Sequence, residues 1–193
     1  MTAPLSPAKA VMIVDLQHRH IRGMYEVIDT VSREKRYLAW TEAPRFRNFR
    51  DFVLNALVTK SPQVVALCDG KVIGWCDITV QPRPTTRHCG VLGMGILAAY
   101  RRSGIGTRLV HAALKRAKAS GLSRVELEVF EDNVPALGLY RKAGFRVEGK
   151  KVAAVRIDNN YKDALVMGLL LKDYDERKFQ ENEEQEVSNR CAH

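Results

Sequence analysis

Ten residues near the middle of this 193-residue chain, Tyr100 to Leu109 (YRRSGIGTRL), bring together the parts of an anion cradle. After Gly104, the apolar residues Ile105, Leu109, Ala113 and Ala117 recur every fourth position, while Arg108, His111, Lys115 and Lys118 fall on the opposite face. That spacing predicts an amphipathic helix that opens at Gly104 and ends at Gly121 after a basic last turn. The first amides of a helix have no intrahelical acceptor and the helix dipole puts positive charge behind them. Glycine lets an anion approach without a Cβ in the way, so a phosphate ester suits the position. Arg101 and Arg102 add charge-assisted donors. Two other phosphate-binding patterns are excluded. A GxGxxG fingerprint needs a small third residue where Leu109 stands, and a P-loop needs GK[ST] where the chain has Gly106-Thr107-Arg108.

The surrounding elements must hold this cradle in place. Residues 10–16 read as a first strand, and two charged amphipathic stretches between His20 and Lys60, parted near Thr41 to Pro44, read as helices. Strands at 63–68 and 71–80 flank an Asp69-Gly70 turn, the short-range signature of a hairpin. A proline-broken loop (QPRPTTRH) leads to the strand GVLGMGIL, whose glycines suggest a bulge or a close backbone approach. Val125 to Val129 is a further strand. Asn133 can cap a helix with Pro135 in its first turn that ends at Ala143-Gly144. Two last strands, 145–155 and 159–171, join through Asp158-Asn159-Asn160. Trp75 and the trio Phe46, Phe49 and Phe52 sit at strand or helix spacing and read as core, and His88 as a loop histidine.

The cradle resembles motif A of the GNAT superfamily of N-acetyltransferases, [RQ]xxGx[GA], filled here by Arg101, Gly104 and Gly106. Leu127 to Phe145 (LEVFEDNVPALGLYRKAGF) resembles the second half of that signature, so the likeness covers about residues 64–171. It implies an α/β (α+β) fold with a mixed, mostly antiparallel central sheet, a splayed parallel strand pair and flanking helices. It also implies acetyl-CoA as acyl donor. The pyrophosphate would lie on Arg101, Arg102, Ser103, Gly104, Ile105, Gly106 and Thr107, and the pantetheine along the backbone of Met94, Gly95 and Ile96. Asn133 would contact the coenzyme as well as cap its helix. Tyr140, seven residues after Asn133, matches the family tyrosine whose hydroxyl donates to the coenzyme sulfur. A primary amine, with a pKa of about 10 like that of lysine, must lose a proton before it can attack. Glu128, five residues before Asn133, stands where ribosomal-protein alanine N-acetyltransferases carry a glutamate base, with Glu126, Asp77 or water as alternatives. The implied reaction is direct acetyl transfer in a ternary complex to a small amine, such as an amino acid or antibiotic-like compound, or to a protein N-terminal amine. Residues from about Tyr25 to Phe52 would set the choice.

Composition agrees with one such domain over 1–172: 46% hydrophobic and 27% charged residues suit a single packed core. Residues 173–193 hold seven acids against three bases and few apolar groups, and are expected to be a mobile tail or a short helix. The tail takes −4 of the formal +9, leaving a body at +13 that attracts polyanions of any kind. A nucleic-acid-binding module is therefore one alternative, although no RNP, KH or zinc-finger pattern is present. A catalytically silent CoA-binding sensor is another, against which Gly104, Gly106 and Tyr140 are intact. The four cysteines show no CxxC or paired-histidine spacing, so neither a metal site nor a disulfide framework is expected. The longest stretch without a charged side chain, His88 to Tyr100, falls short of the roughly 20 apolar residues of a membrane span, and a cytoplasmic location is the default expectation. Homodimers are common in the family, but nothing in the chain specifies an interface.

Overall fold

Strand and helix alternate much as the periodicities require. The structure, a computed structural model, describes residues 10–176. Its elements are β1 (Val11–Asp15), α1 (Ile21–Arg33), α2 (Phe46–Val58), β2 (Gln63–Cys68), β3 (Lys71–Val80), β4 (Cys89–Ile96), α3 (Ile105–Ala119), β5 (Arg124–Phe130), α4 (Val134–Lys142), β6 (Arg146–Ile157) and β7 (Asn160–Leu170). The strands form one sheet in the order β1-β2-β3-β4-β5-β7-β6, antiparallel throughout except between β4 and β5. Both hairpin turns are built from left-handed pairs, Asp69 and Gly70 (φ 50° and 74°) and Asp158 and Asn159 (φ 45° and 65°). That geometry matches the twist of the strands they join.

Alternation along the strands divides the core between the two faces of the sheet. On one face Val64, Ala66, Cys76, Ile78, Leu92, Val125, Leu127 and Met167 pack with α3 and α4, and α3 buries the whole predicted row Ile105, Leu109, Ala113 and Ala117. On the other, Val65, Leu67 and Trp75 pack with Met24, Val27 and Val31 of α1 and with Phe49 and Val53 of α2. Phe52, read from the sequence as core, is 46% exposed because it lies on the outer side of α2. Tyr174, in the segment expected to be tail, is buried, and its hydroxyl hydrogen-bonds His111 Nδ1 of α3. The packed domain thus reaches past residue 172. Residues 177–193, the rest of the expected tail, lie outside the described residues.

The parallel pair governs the rest. β4 and β5 align only at Cys89↔Arg124, Gly90↔Val125 and Val91↔Glu126, whereas β4 stays paired with β3 as far as Ile96 and β5 with β7 as far as Phe130. The two half-sheets therefore part beyond Val91. Cys89 O accepts from Gln81 N and Leu97 N donates to Ile73 O, so the odd positions of β4 bond to β3. By the period of two, Leu92, Met94 and Ile96 turn their N–H and C=O groups into the gap.

The glycines of β4 do not form a bulge, since the register with β3 runs unbroken from Gly74↔Ile96 to Val80↔Gly90. What approaches them is β3 itself. A Cβ on Gly95 would stand 2.3 Å from the Trp75 ring, and one on Gly93 would stand 3.3 Å from Asp77 Oδ1. Gly95→Ala is therefore expected to displace the Trp75 ring and cost about 1–3 kcal/mol of stability. Gly138→Ala, within α4 and with nothing inside 4 Å of its Cβ position, is expected to add up to ~1 kcal/mol. Urea unfolding of the two variants measures both.

Candidate active site

The turn into α3 is built to leave amides bare. Arg102 (φ 62°) and Gly104 (φ 81°) take left-handed conformations, Ser103 Oγ ties the turn to Tyr100 O at 2.6 Å, and Gly104 caps the helix without a side-chain acceptor. The first helical bond runs from Arg108 N to Gly104 O at 3.2 Å. The amides of Ile105, Gly106 and Thr107 thus have no intrahelical acceptor. Gly106 lies where a Cβ would reach Leu139 of α4 at 3.2 Å and the Met94 side chain of β4 at 3.7 Å. The bare amides therefore open beside the two elements that border the gap.

Arg101 has a different setting from its neighbours. Its Nε donates to Ile96 O at 2.8 Å, its two terminal nitrogens donate to the Glu34 carboxylate at 2.8 and 2.5 Å, and its guanidinium stacks on the Tyr37 ring at 4.7 Å. Glu34 holds the Arg101 pKa above its usual range. The side chain is thus committed within the protein, and Arg101 reaches a ligand through its backbone only. Arg102 is exposed at the mouth of the turn. Neither Glu34 nor Tyr37 carries a sequence signal for this clamp, because the contact joins positions 67 residues apart.

On the α3 side of the gap, Asn133 Oδ1 accepts from Ala136 N at 3.3 Å and so caps α4. The helix carries Tyr140, which is buried against Phe145. The Tyr140 hydroxyl makes no hydrogen bond to a described residue, yet it is not among the fully enclosed unpartnered polar atoms, which are Ser32 Oγ and Gln63 Oε1. It therefore borders open space. Burial, reinforced by the Cys76 thiol, pushes its pKa far up, so the phenol is a permanent donor. Cys76 is paired with Met94, which fixes the level of the gap that Tyr140 addresses.

On the opposite face three carboxylates approach the gap. Glu126 and Glu128 alternate with the buried Val125, Leu127 and Val129 of β5. Glu126 lies 3.5 Å from Arg124, and Glu128 is about half exposed and ion-paired with Lys151 of β6. Asp77 shares its face of β3 with Trp75 and Thr79, which donate to its carboxyl at 3.1 and 3.3 Å. The structure thus brings the turn, Met94, Ile96 and Tyr140 around one gap, while Gly95 turns its backbone to β3. Desolvation around Arg101 is compensated only by its full set of partners, and only a planar fork can span both Ile96 O and Glu34. Arg101→Ala is expected to cost about 2–3 kcal/mol. Arg101→Lys is expected to recover less than about half of that loss, as measured by urea unfolding.

Comparison with known proteins agrees with this geometry. The sequence profile of the Acetyltransferase (GNAT) family matches residues 24–145. The chain is 33% identical over 106 residues to the L-amino acid N-acetyltransferase AaaT of Escherichia coli (strain K12), covering 54% of this chain and 65% of that protein. It is 38% identical over 91 residues to an N-alpha-acetyltransferase of Sulfurisphaera tokodaii, covering 42% of this chain and 54% of that one. In both cases the match spans less than two thirds of the relative's length. Among solved structures, the yncA acetyltransferase of Salmonella typhimurium with its cofactor acetyl-CoA superposes with a TM-score of 0.80 at 15% identity over 86% of this chain and 96% of that one. A GNAT-family acetyltransferase of Streptococcus pneumoniae superposes with a TM-score of 0.77 at 25% identity over 83% and 99%. With a profile match across most of its length, a splayed β4–β5 pair and a bare-amide turn into α3, the chain belongs to the acetyltransferase (GNAT) family.

Proposed function

We propose that the protein is an acetyl-CoA-dependent N-acetyltransferase that acts on a primary amine by direct attack in a ternary complex. The observation that carries this reading is the convergence on one gap of three unsatisfied groups: the amides of Ile105, Gly106 and Thr107, the outward backbone edge at Met94 and Ile96, and the Tyr140 hydroxyl. A diphosphate suits the first, an extended diamide arm the second, and a sulfur leaving group the third. Bound acetyl-CoA supplies an activated acetyl thioester. The relatives named for L-amino acid and N-alpha acetylation support a free amino acid or a protein N-terminus as acceptor.

The residues of the chain divide the work. The turn amides hold the anionic end, and Met94 and Ile96 offer strand-like hydrogen bonds along the gap. Ile96 contributes its N–H, since Arg101 already occupies its carbonyl oxygen. Tyr140 donates a hydrogen bond to the departing thiolate. Its pKa lies well above the roughly 8.5 of a thiol, so it stabilises charge on sulfur first and completes proton transfer only as its own proton is replaced. The acceptor amine enters from the opposite face of the sheet, beneath the segment between α1 and α2.

Acetyl-CoA should raise the melting temperature with saturable dependence, while duplex DNA at moderate salt should not. Thr107→Pro deletes one cradle amide in the first turn, where proline is tolerated. It should weaken acetyl-CoA binding by roughly 10-fold or more in calorimetry. Tyr140→Phe should lower kcat by about 10²-fold in a free-thiol assay while leaving the acetyl-CoA melting shift intact. A melting shift with no thiol release from any amine, across amino acids and peptides of varied N-terminus, would mark a binding protein without turnover.

A further inference from the structure

Of the three carboxylates that flank the gap on the acceptor face, Asp77 alone has no cationic partner among the described residues. Glu126 has Arg124 and Glu128 has Lys151. Asp77 is held by two neutral donors, the Trp75 indole to Oδ1 and the Thr79 hydroxyl to Oδ2, which orient it without neutralising it. It leans over β4 at the point where side chains are missing, with Oδ1 only 3.3 Å from the position a Gly93 Cβ would take. Gly93 lies beyond the last β4–β5 pair, so the carboxyl stands over β4 along the stretch that borders the gap. Tyr140 addresses the same level from the other side of the sheet, through Cys76 and its partner Met94. A phenol and an unpaired carboxylate therefore flank one stretch of β4, residues 93–94, from opposite faces.

Resting on the acetyltransferase reading above, we propose that Asp77 is the general base that takes the proton from the acceptor's ammonium group. The freed lone pair forms the C–N bond to the acetyl carbon as the C–S bond breaks. The nitrogen gives up two protons in all. One goes to the Asp77 carboxylate and on to solvent, and the other replaces the phenol proton that Tyr140 gives to the thiolate, so both groups end as they began. Glu128 then serves as an ion-pair partner of Lys151 that ties β5 to β6.

The surroundings of the carboxyl tune it for this task. Desolvation pushes its pKa up to about 6 against the pull of the Thr79 and Trp75 hydrogen bonds. At pH 7 and above it is ionised, yet more basic than an ordinary carboxylate. The titratable neighbour on its own strand is the Cys76 thiol, itself pushed upward by burial and so neutral. β2 presents Gln63 and β4 presents Gly93, the register partners of Asp77. The buried face of α1 is Ile21, Met24, Val27, Val31 and Ser32, which carries no charge. Because the folded pKa lies above that of the unfolded chain, the folded state binds the proton more tightly. Stability is therefore lost as pH rises from the ordinary carboxyl range through about 6.

Asp77→Asn keeps the Trp75 hydrogen bond to Oδ1, lets the Thr79 hydroxyl accept from Nδ2 instead of donating, and removes the charge. At pH 7.5 its kcat should fall by about 100-fold or more with the best amine of the panel, with the acetyl-CoA melting shift unchanged. The acidic limb of the wild-type pH–rate profile should disappear, and the deficit should narrow as pH approaches the pKa of the amine. Glu128→Gln should lose less than about threefold. In the absence of any ligand, the Asp77→Asn melting temperature should match wild type near pH 4 and exceed it above pH 7. Wild-type turnover with an intact acidic limb in Asp77→Asn, or a melting difference that ignores pH, would overturn the assignment. Absence of thiol release by the wild-type protein with every amine tried would instead overturn the acetyltransferase reading itself.

Discussion

Between Leu92 and Ile96 a strand in the middle of a seven-stranded sheet has no neighbour on one side. Backbone amides in such a position cost about 1–3 kcal/mol each when left dry, so the opening persists only because other forces hold it. Each bordering strand is held on its far side by a ladder, β4 to β3 and β5 to β7, and the divergence of these two ladders keeps the edges apart. Leu139 of α4 and Gly106 of α3 meet near the Met94 side chain and fill the space on one face. Arg101 Nε then closes the far end of the bare edge by taking Ile96 O. The result is a slot with a turn of bare amides at one end and polar groups on both faces.

In the proposed reaction a single physical effect prepares those two faces for opposite tasks. Removing water raises the pKa of any neutral acid, whether phenol or carboxyl. For Tyr140 this guarantees that the hydroxyl carries its proton at every working pH, which is what a donor needs. For Asp77 the same shift moves the carboxyl toward the neutral range, where a base becomes stronger while remaining ionised. No counter-ion is needed on either side, and one on the Asp77 side would cancel the effect by pulling its pKa down again. The neutral donors Trp75 and Thr79 fix geometry at less cost to basicity than an arginine would.

Much of this arrangement was legible in the sequence, and the parts that were not share a cause. The four-residue apolar rhythm of α3, the Asp-Gly hairpin and the glycine turn are local patterns, and each marks its element within a residue or two. The splay is not local. It arises because β5 pairs with β7, whose partner residues stand some 40 positions apart, rather than with the full length of β4. The glycine at 95 could be seen to need a close neighbour, but the neighbour is the Trp75 ring, twenty residues earlier, and not a ligand. Arg101 fits a phosphate-binding motif by type, whereas its guanidinium is spent on Glu34, which only the packing of α1 across β4 brings near. Trp75, Asp77 and Thr79 share one face of β3 by the period of two, but nothing local marks that face as covered, so the desolvation of Asp77 follows only from packing.

Residues just past the end of α1 tie the segment between α1 and α2 to both halves of the sheet, with unequal strength. Glu34 and Tyr37 grip Arg101: the Arg101 and Glu34 side chains, only 25% and 27% exposed, share two hydrogen bonds, and the guanidinium stacks on the Tyr37 ring. Between those two residues, Lys35 reaches Asp158 in the β6–β7 turn at 2.8 Å, but both side chains are more open to solvent, at 43% and 63% exposed. Exposed pairs of that kind contribute about 0–1 kcal/mol and weaken with salt. Arg101 belongs to the half-sheet that ends at β4, and Asp158 to the half that begins at β5. The start of the segment is therefore held firmly to the turn before α3 and only lightly to the β6–β7 hairpin, so of the two contacts the Lys35 pair is the one that salt or a small displacement of the half-sheets releases first.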